Sequence, residues 1–450
     1  MYTDQNVIGA QMNAKSTPIK RRRILSFTGF VLLPVLKMAT RALLNPAGSK
    51  DLSIAFSEIY SKLLDFAEHS ISHRGFDLPS ALGDGPVHTL NRLLSEIYGM
   101  KFSSLSFGGS SGALLTLLIA VIPKLQPNRT LILFDDMCHQ STIGGLIFGR
   151  WKAVRLTREQ HAIYGTVCPL TFEKLKTTVE FHGPEKFAAI ILVSPAYDGF
   201  RSPSEDKNIY EYAKSHGISV IIDGAWDAMR FRRPLSDAPE LSSICDIWIT
   251  SPHKRGLTPS SLGCFLTHNE IIARLWDEAL DLGFRSSSIS FVECMIAEHR
   301  LTQVQSGHWD ASFEAAEQAA EILSERIKDI HPDISVVQPA DVNAEAKEPG
   351  HLLISTHKIP DLDARDWAKT LQHDFAFDVE KSTPNTVLLI CGSPVHLRRI
   401  DEIIACLHQA LITSISPIPL SPNFTPHIQS TSYGLSLIHI SEPTRPERSS

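Results

Sequence analysis

The stretch DIWITSPHKRG, residues 246–256, joins an apolar run to a polar and basic segment. The run 246–250 predicts a short buried strand, and Ser-Pro-His-Lys follows where that strand would end. Lys254 at such a position is either a loop residue exposed beside Arg255 or, when desolvated, an amine nucleophile. The residues around it in the chain favour one of these two interpretations.

Other apolar runs predict strands of the same kind. They cover residues 102–107, 130–136, 188–195, 219–223 and 262–266. Several are apolar on both faces, which suits a central sheet covered by helices on two sides. Helical patterns lie between several of them, for example at 206–215, so the order predicts an α/β domain with a mostly parallel sheet. Ligands of such sheets bind at the carboxyl ends of the strands.

A second, smaller unit is predicted after the long helical pattern at residues 311–330. Residues 331–412 show a strand, helix, strand, helix pattern, which predicts a small C-terminal α/β domain behind a large domain at 51–330. Residues 413–450 are rich in proline and serine and have no periodicity. We expect this tail to be disordered or artefactual.

The composition is typical of a globular protein with a large core. The chain has 450 residues, 43% hydrophobic and 20% charged, with a formal net charge of -6. This allows two or three domains and gives no global basic field that would bind nucleic acid. The seven cysteines are scattered without a C-x-x-C pair, which favours a reducing, cytoplasmic compartment over a disulfide framework or a zinc site.

The N-terminal arm, residues 1–50, contains an ambiguous segment. Basic residues at 20–23 precede a mostly apolar run at 24–36, which contains Pro34 and is too short to span a membrane. The segment fits a packing or membrane-surface arm, a targeting signal or an anchor. We expect no stable membrane insertion.

Polar residues follow two of the upstream strands. Ser110 and Ser111 lie among glycines between a strand and a helix. They could hold a phosphate at a helix N-terminus, or form only a tight turn with a serine cap. His139 follows the next strand and could stack on a flat ligand or lie beside a helix cap.

Asp223 ends a buried run, where a carboxylate is costly unless a cation meets it. An ion-pair network with Asp227 and Arg230 is one explanation for its position. Tyr197 and Asp198 lie in a Pro/Asp/Gly turn after another strand and carry a weaker signal.

Together these residues are typical of one cofactor. Pyridoxal phosphate needs hydroxyls and a helix N-terminus for its phosphate, a flat group on its ring, a carboxylate at its pyridine nitrogen and a lysine for its aldehyde. The serine pair, His139, Asp223 and Lys254 supply these groups in this order along the chain. A nucleotide-binding Rossmann domain is less favoured, because no G-x-G-x-x-G follows a strand.

From about residue 85 to 266 the chain resembles the Orn/Lys/Arg decarboxylases, a pyridoxal phosphate-dependent family with the aspartate aminotransferase-like fold type I. The matching segments are LLSEIYGM, FGGSSGA, DDMCHQS, SPAYDGF, DGAWDAMRF and SPHKRGLTPSSLG. The resemblance implies a mostly parallel seven-stranded sheet in the large domain and a homodimer or higher homo-oligomer. The chain departs from the family at Gly224, where Glu or Ser is usual.

The resemblance also implies roles for single residues. Lys254 would form the internal aldimine, and Asp223 would pair with the pyridine nitrogen. His139 would stack on the ring, and Ala225 would back its other face. The phosphate would be held by hydroxyl and imidazole groups, those of Ser110, Ser111, Ser251 and His253. Arg255 has no role in this scheme.

The reaction implied is decarboxylation of a small-molecule amino acid, ornithine, lysine or arginine, as in polyamine biosynthesis. It would pass through a quinonoid intermediate, with Lys254 or His253 returning a proton to the carbon. The alternatives are aminotransfer, retro-aldol cleavage or elimination with the same cofactor, or a catalytically dead regulatory relative.

Overall fold

In the computed structural model, residues 86–415 are described, apart from 256, 260, 261, 285–290, 376 and 392–394. The predicted N-terminal arm, residues 51–85 of the predicted large domain and residues 416–450 of the predicted tail lie outside the described residues. Within the described part, every helix is too short or too polar to cross a membrane.

Helices and strands alternate along the described chain. The helices are α1 Pro86–Tyr98, α2 Gly109–Thr116, α3 Ile122–Leu125, α4 Gln140–Phe148, α5 Phe172–His182, α6 Pro203–Ser215, α7 Glu270–Ala279, α8 Phe291–Gln305, α9 Asp310–Arg326, α10 Ala364–Asp374, α11 Val395–Arg398 and α12 Ile400–Ile415. The strands are β1 Phe102–Ser106, β2 Leu131–Asp135, β3 Lys152–Leu156, β4 Phe187–Val193, β5 Phe200–Arg201, β6 Ser219–Gly224, β7 Ile247–Thr250, β8 Gly263–Thr267, β9 Ser335–Val336, β10 Ala346–Lys347, β11 His351–Ser355, β12 Lys381–Ser382 and β13 Thr386–Ile390.

A seven-stranded sheet with the order β1-β8-β7-β6-β4-β2-β3 forms the centre of the large unit. The strands from β7 to β3 are parallel, whereas β8 is antiparallel to both β7 and β1. Alternate residues of β6 enter different hydrophobic clusters, Val220 and Ile222 in one and Ile221 in the other. Because successive strand residues face opposite sides, the sheet is buried on both faces. The mostly parallel seven-stranded sheet is confirmed.

Two local features of the large unit differ from the sequence-based expectations. The strand β3 was not predicted, because its residues KAVRL at the sheet edge are mostly exposed and lack an apolar run. The helix expected after Ser110 and Ser111 begins earlier, at Gly109, and continues through the π-helical turn Leu117–Val121 into α3. Ser110 and Ser111 therefore lie in the first turn of α2 and not in the loop before it.

A four-stranded antiparallel sheet, β12-β13-β11-β9, follows in the C-terminal part. It has its own hydrophobic cluster, in which Trp367 of α10 and Leu407 of α12 are fully buried. The short strands β9 and β12 were not predicted, and α12 continues to Ile415, past the expected end at 412. The division into domains at these boundaries stays a prediction.

A two-stranded ladder joins the C-terminal part to the large sheet. Strand β10 pairs antiparallel with β5, with Ala346 opposite Arg201. Since β5 follows β4 closely, this ladder brings the segment between β10 and β11 towards the carboxyl ends of the parallel strands.

Candidate active site

Asp223 and Lys254 follow neighbouring parallel strands. Asp223 is the last but one residue of β6 and lies opposite Ile249 of β7. Lys254 lies on the 3-10 turn Pro252–Arg255, which begins just after β7 ends. Because the two strands are parallel and adjacent, both side chains lie at the carboxyl-end edge of the sheet.

Burial shifts both groups towards their neutral forms. It raises the pKa of Asp223, although Lys254, the backbone N–H of Ala225 at 3.1 Å and His139 oppose this. Burial lowers the pKa of Lys254, although Asp223 and Glu380 oppose this. Much of the Lys254 side chain is nevertheless reached by solvent. The amine is thus crowded by protein atoms and still accessible to a ligand, and the lowered pKa has the direction expected of a nucleophilic lysine.

Trp226 contacts the reactive lysine and was not singled out in the sequence. The Nζ atom of Lys254 lies 4.0 Å from the centroid of the Trp226 ring. Trp226 is buried and makes edge contacts with the rings of Tyr197 at 5.5 Å and His351 at 5.6 Å. The aromatic face stabilises the charged form of the lysine and limits its positions.

His139 combines both interpretations of its position. It is the N-cap residue of α4, and its Nδ1 accepts a hydrogen bond from the backbone N–H of Ser141 at 3.2 Å. The ring is exposed, and its positive charge would lower the pKa of Asp223, which places the two groups in one neighbourhood. The hydrogen bond to the helix N-terminus therefore orients the His139 ring, which stays accessible to solvent near the buried carboxylate of Asp223.

The serines meet at the N-terminus of α2. The hydroxyl of Ser251 donates to the hydroxyl of Ser110 at 2.9 Å. A Cβ atom on Gly263 of β8 would lie 2.3 Å from the carbonyl carbon of Gly109, so only glycine lets this helix end approach β8 so closely. Ser111 lies in the same turn. Hydroxyls and backbone N–H groups at a helix N-terminus form a cradle that fits a phosphate.

His253 and Ala225 complete the predicted set. The Nδ1 of His253 lies 2.9 Å from the carbonyl oxygen of Leu262, which orients the imidazole on the turn that carries Lys254. Ala225 follows β6 directly, and its N–H donates to the Asp223 carboxylate. Apart from Asp223, which lies within β6, the predicted site residues lie in loops, turns and helix ends.

The departure at Gly224 has a steric reason in this chain. A Cβ atom on Gly224 would lie 2.2 Å from Nε1 of Trp248. Trp248 of β7 is fully buried and packs against Tyr98 of α1, with ring centroids 4.9 Å apart. A residue larger than glycine would displace this packing directly behind Asp223.

The ion pairs of Asp227 differ from the network that was one explanation for the position of Asp223. Asp227 pairs with Arg230 at 2.8 Å and with Arg233, while the cation facing Asp223 is Lys254. Burial alone would raise the pKa of Asp227, but Arg233, Arg230 and Arg201 together hold it below its usual value. Asp227 is therefore a structural anion and not a second partner for a cofactor.

The C-terminal part contributes residues that sequence reasoning missed. The hydroxyl of Tyr197 donates to the carboxylate of Glu380, and Nζ of Lys381 lies 2.9 and 3.0 Å from the carboxylate oxygens of Asp198. Glu380 also raises the pKa of Lys254. Tyr197 and Glu380 are 183 residues apart in the chain, so nothing in the local sequence signals this contact.

Comparison with solved structures defines the fold. The chain is similar to E. coli constitutive lysine decarboxylase, with a TM-score of 0.61 at 15% identity over 76% of this chain and 53% of that one. It is also similar to alanine-glyoxylate aminotransferase from Nostoc sp., with a TM-score of 0.53 at 15% identity over 72% of this chain and 86% of that one. The fold is the aspartate aminotransferase-like fold type I of pyridoxal phosphate-dependent proteins.

The sequence is also similar to those of two arginine decarboxylases. It is 24% identical over 180 residues to that of Halalkalibacterium halodurans and 27% identical over 183 residues to that of Bacillus subtilis. Each match covers 40% of this chain and 35% of the relative, so the chain matches about a third of the relatives' length. No family model matches the chain. These matches confirm the resemblance to basic amino acid decarboxylases.

Proposed function

We propose that this chain binds pyridoxal phosphate and decarboxylates a basic amino acid, ornithine, lysine or arginine. The observation that carries the proposal is the pairing of Lys254 with the buried Asp223 at the ends of adjacent parallel strands. An enzyme of this fold needs such a pair, because the amine meets the aldehyde and the carboxylate meets the ring nitrogen.

The remaining residues fit the other parts of the cofactor. Ser110 and Ser251, whose hydroxyls already contact each other, would donate to the phosphate together with Ser111 and His253. The exposed ring of His139 would lie on one face of the cofactor ring, and Ala225 on the other. The glycine at position 263 lets β8 lie close to the backbone of Gly109 and Ser110 at this helix end.

Bound pyridoxal phosphate would withdraw electrons from the α-carbon of the amino acid and so allow the bond to the carboxylate to break. Asp223 would hold a proton at the pyridine nitrogen, which gives this buried carboxylate the cation that its burial requires. Burial lowers the pKa of Lys254, which makes its amine easier to deprotonate than that of an ordinary lysine, and the same amine would later carry a proton. Its contact with Trp226 limits where that amine can move.

Glu380 supports a basic substrate. Its negative charge opposes the lowering of the Lys254 pKa by burial, and its carboxylate accepts a hydrogen bond from the hydroxyl of Tyr197. An anionic group beside the reactive amine favours substrates with a cationic side chain over neutral ones. The names of the relatives, arginine and lysine decarboxylases, agree with this chemistry.

We also propose that the chain acts in polyamine biosynthesis in the cytoplasm, as a homodimer or higher homo-oligomer. These proposals rest on the resemblance, since members of this fold usually form their sites at a dimer interface. Light scattering of the purified chain tests the oligomeric state.

Product analysis tests the reaction. The purified chain is incubated with pyridoxal phosphate and with ornithine, lysine or arginine labelled at the carboxylate. Released carbon dioxide with the matching amine supports the proposal, whereas a keto acid points to aminotransfer and rejects decarboxylation. Lys254→Ala must abolish product, and Lys214→Ala, which changes another lysine that lies over an aromatic ring, must not.

A further inference from the structure

Arg255 is buried and held by the C-terminal part of the chain. Its Nη2 donates to Oε1 of Glu348 at 3.0 Å and lies 3.3 Å from Nδ1 of His351. Glu348 follows β10, and His351 begins β11. The turn that carries Lys254 is therefore tied, through the very next residue, to a segment far along the chain.

The ion pairs continue from Glu348 to the loop after Asp223. The other oxygen of Glu348 accepts from Arg233, which also pairs with Asp227. The side chains of Arg255 and Glu348 are 6% and 1% exposed, and those of Arg233 and Asp227 are 5% and 0% exposed. One buried chain of charges thus links the turn bearing Lys254 to the loop that follows Asp223.

We propose that Arg255 is a positioning residue for Lys254 and that Glu348 is its anchor. The pair holds the turn Pro252–Arg255 against the C-terminal segment, so that the adjacent amine stays in its crowded position beside Asp223. This inference rests on the proposed function only in giving Lys254 a chemical role.

The geometry explains how the anchor would act. Burial is the main cause that lowers the pKa of Lys254, and the charges that oppose it are those of Asp223 and Glu380. If the turn is released, the amine gains water and its pKa rises towards that of an ordinary lysine. The effect depends on the planar guanidinium of arginine, whose Nη2 contacts both Glu348 and His351, since lysine keeps the charge but cannot reproduce the same contacts.

The test measures the pKa of Lys254 directly in the full chain. The protein is treated with hydroxylamine to remove any bound carbonyl compound, and the rate of Lys254 acetylation by acetic anhydride is followed against pH by peptide mass spectrometry. We expect Arg255→Lys to raise the pKa of Lys254 and so to slow acetylation at neutral pH. Arg232→Lys is the matched control, because Arg232 also joins distant parts of the chain, to Asp310 at 2.9 Å and Glu317 at 3.5 Å.

A second variant approaches the pair from the other side. Glu348→Asp keeps a carboxylate for both arginines but shortens the anchor, and it should raise the pKa of Lys254 as well. If Arg255→Lys does not fold, the pKa of Lys254 in Glu348→Asp tests the positioning role instead. A folded variant in which the pKa of Lys254 equals that of the wild type would overturn the proposal, even if its melting temperature falls.

The outcome is separable from that of the proposed function. Acetylation requires no cofactor, so a chain that binds no pyridoxal phosphate but shows the shift would reject the proposed function and retain the positioning role. A chain that decarboxylates a basic amino acid but shows no shift in the pKa of Lys254 would support the proposed function and reject the positioning role.

Discussion

Asp223 and Lys254 each oppose the effect of burial on the other, and in both groups burial is the larger effect. Lys254 lowers the pKa of Asp223, which burial raises, and Asp223 raises the pKa of Lys254, which burial lowers. Groups whose surroundings disfavour their own charge are typical of functional sites. A cationic ring nitrogen beside Asp223 would relieve the carboxylate and leave the amine free to react.

This relationship predicts how stability depends on pH. The pKa of Asp223 is higher in the folded than in the unfolded chain. The stability contributed by its protonated form is therefore present below the ordinary aspartate pKa and is lost as the pH rises through the folded value. The side chain in Asp223→Asn is neutral at every pH, so this variant does not lose that stability. Without cofactor it should therefore have a higher free energy of unfolding than the wild type at neutral pH.

Denaturant unfolding at several pH values measures this difference. The gain should shrink as the pH falls through the folded pKa of Asp223 and should be absent below the ordinary aspartate pKa, because both chains then carry a neutral group at this position. A variant that is less stable than the wild type at neutral pH would show that Asp223 is a structural anion.

Glu380 should influence both the amine and the choice of substrate. Because its charge raises the pKa of Lys254, Glu380→Gln should lower that pKa further, which acetylation against pH can measure. It should also reduce the turnover of basic amino acids more than that of neutral ones. Glu345→Gln serves as the control. Glu345 is exposed, lies on the C-terminal segment that leads to β11, and accepts a hydrogen bond from the backbone N–H of Ser204. Equal losses for basic and neutral substrates would argue against a role in recognition.

Asp227 should contribute to stability and not to chemistry. Asp227→Asn leaves buried arginines without their anion, which costs about 3–5 kcal/mol when a buried pair is broken from one side. Asp310→Asn breaks an exposed pair with Arg232 and should cost about 0–1 kcal/mol. Denaturant unfolding of both variants provides the comparison, and similar costs would contradict the assignment of Asp227 to a buried network.

Gly224 should tolerate no side chain while Trp248 is present. Gly224→Ala places a methyl group 2.2 Å from Nε1 of Trp248 and should destabilise the chain by roughly 1–3 kcal/mol through overpacking. Adding Trp248→Phe makes room, so the double variant should lose less than the sum of the two single variants. Additive losses in thermal or chemical unfolding would mean that the contact does not limit this position.

The strand ends could be predicted from the sequence because an apolar run stops there and a polar site residue lies at its end or just after it. The apolar runs before Asp223 and Lys254 are buried on both faces, so each run shows where a strand ends and which polar side chain follows. The serine pair could be found in the same way, although the helix that carries it begins earlier than its apolar pattern suggests.

The contacts made by the C-terminal part could not be predicted in this way. The partners of Glu380 and Glu348, Tyr197 and Arg255, are distant from them in the chain. Local periodicity contains no information on such pairs. The edge strand β3 was missed for a related reason, since an exposed strand needs no apolar run.

The central claim is that Lys254 is the residue that bonds to the cofactor. The most direct measurement is borohydride reduction of the chain after incubation with pyridoxal phosphate, followed by peptide mass spectrometry. We predict a stable phosphopyridoxyl group on Lys254 in the wild type and its loss in Lys254→Ala, with Lys214→Ala unchanged. Labelling at another lysine, or equal labelling in Lys254→Ala, would contradict the account.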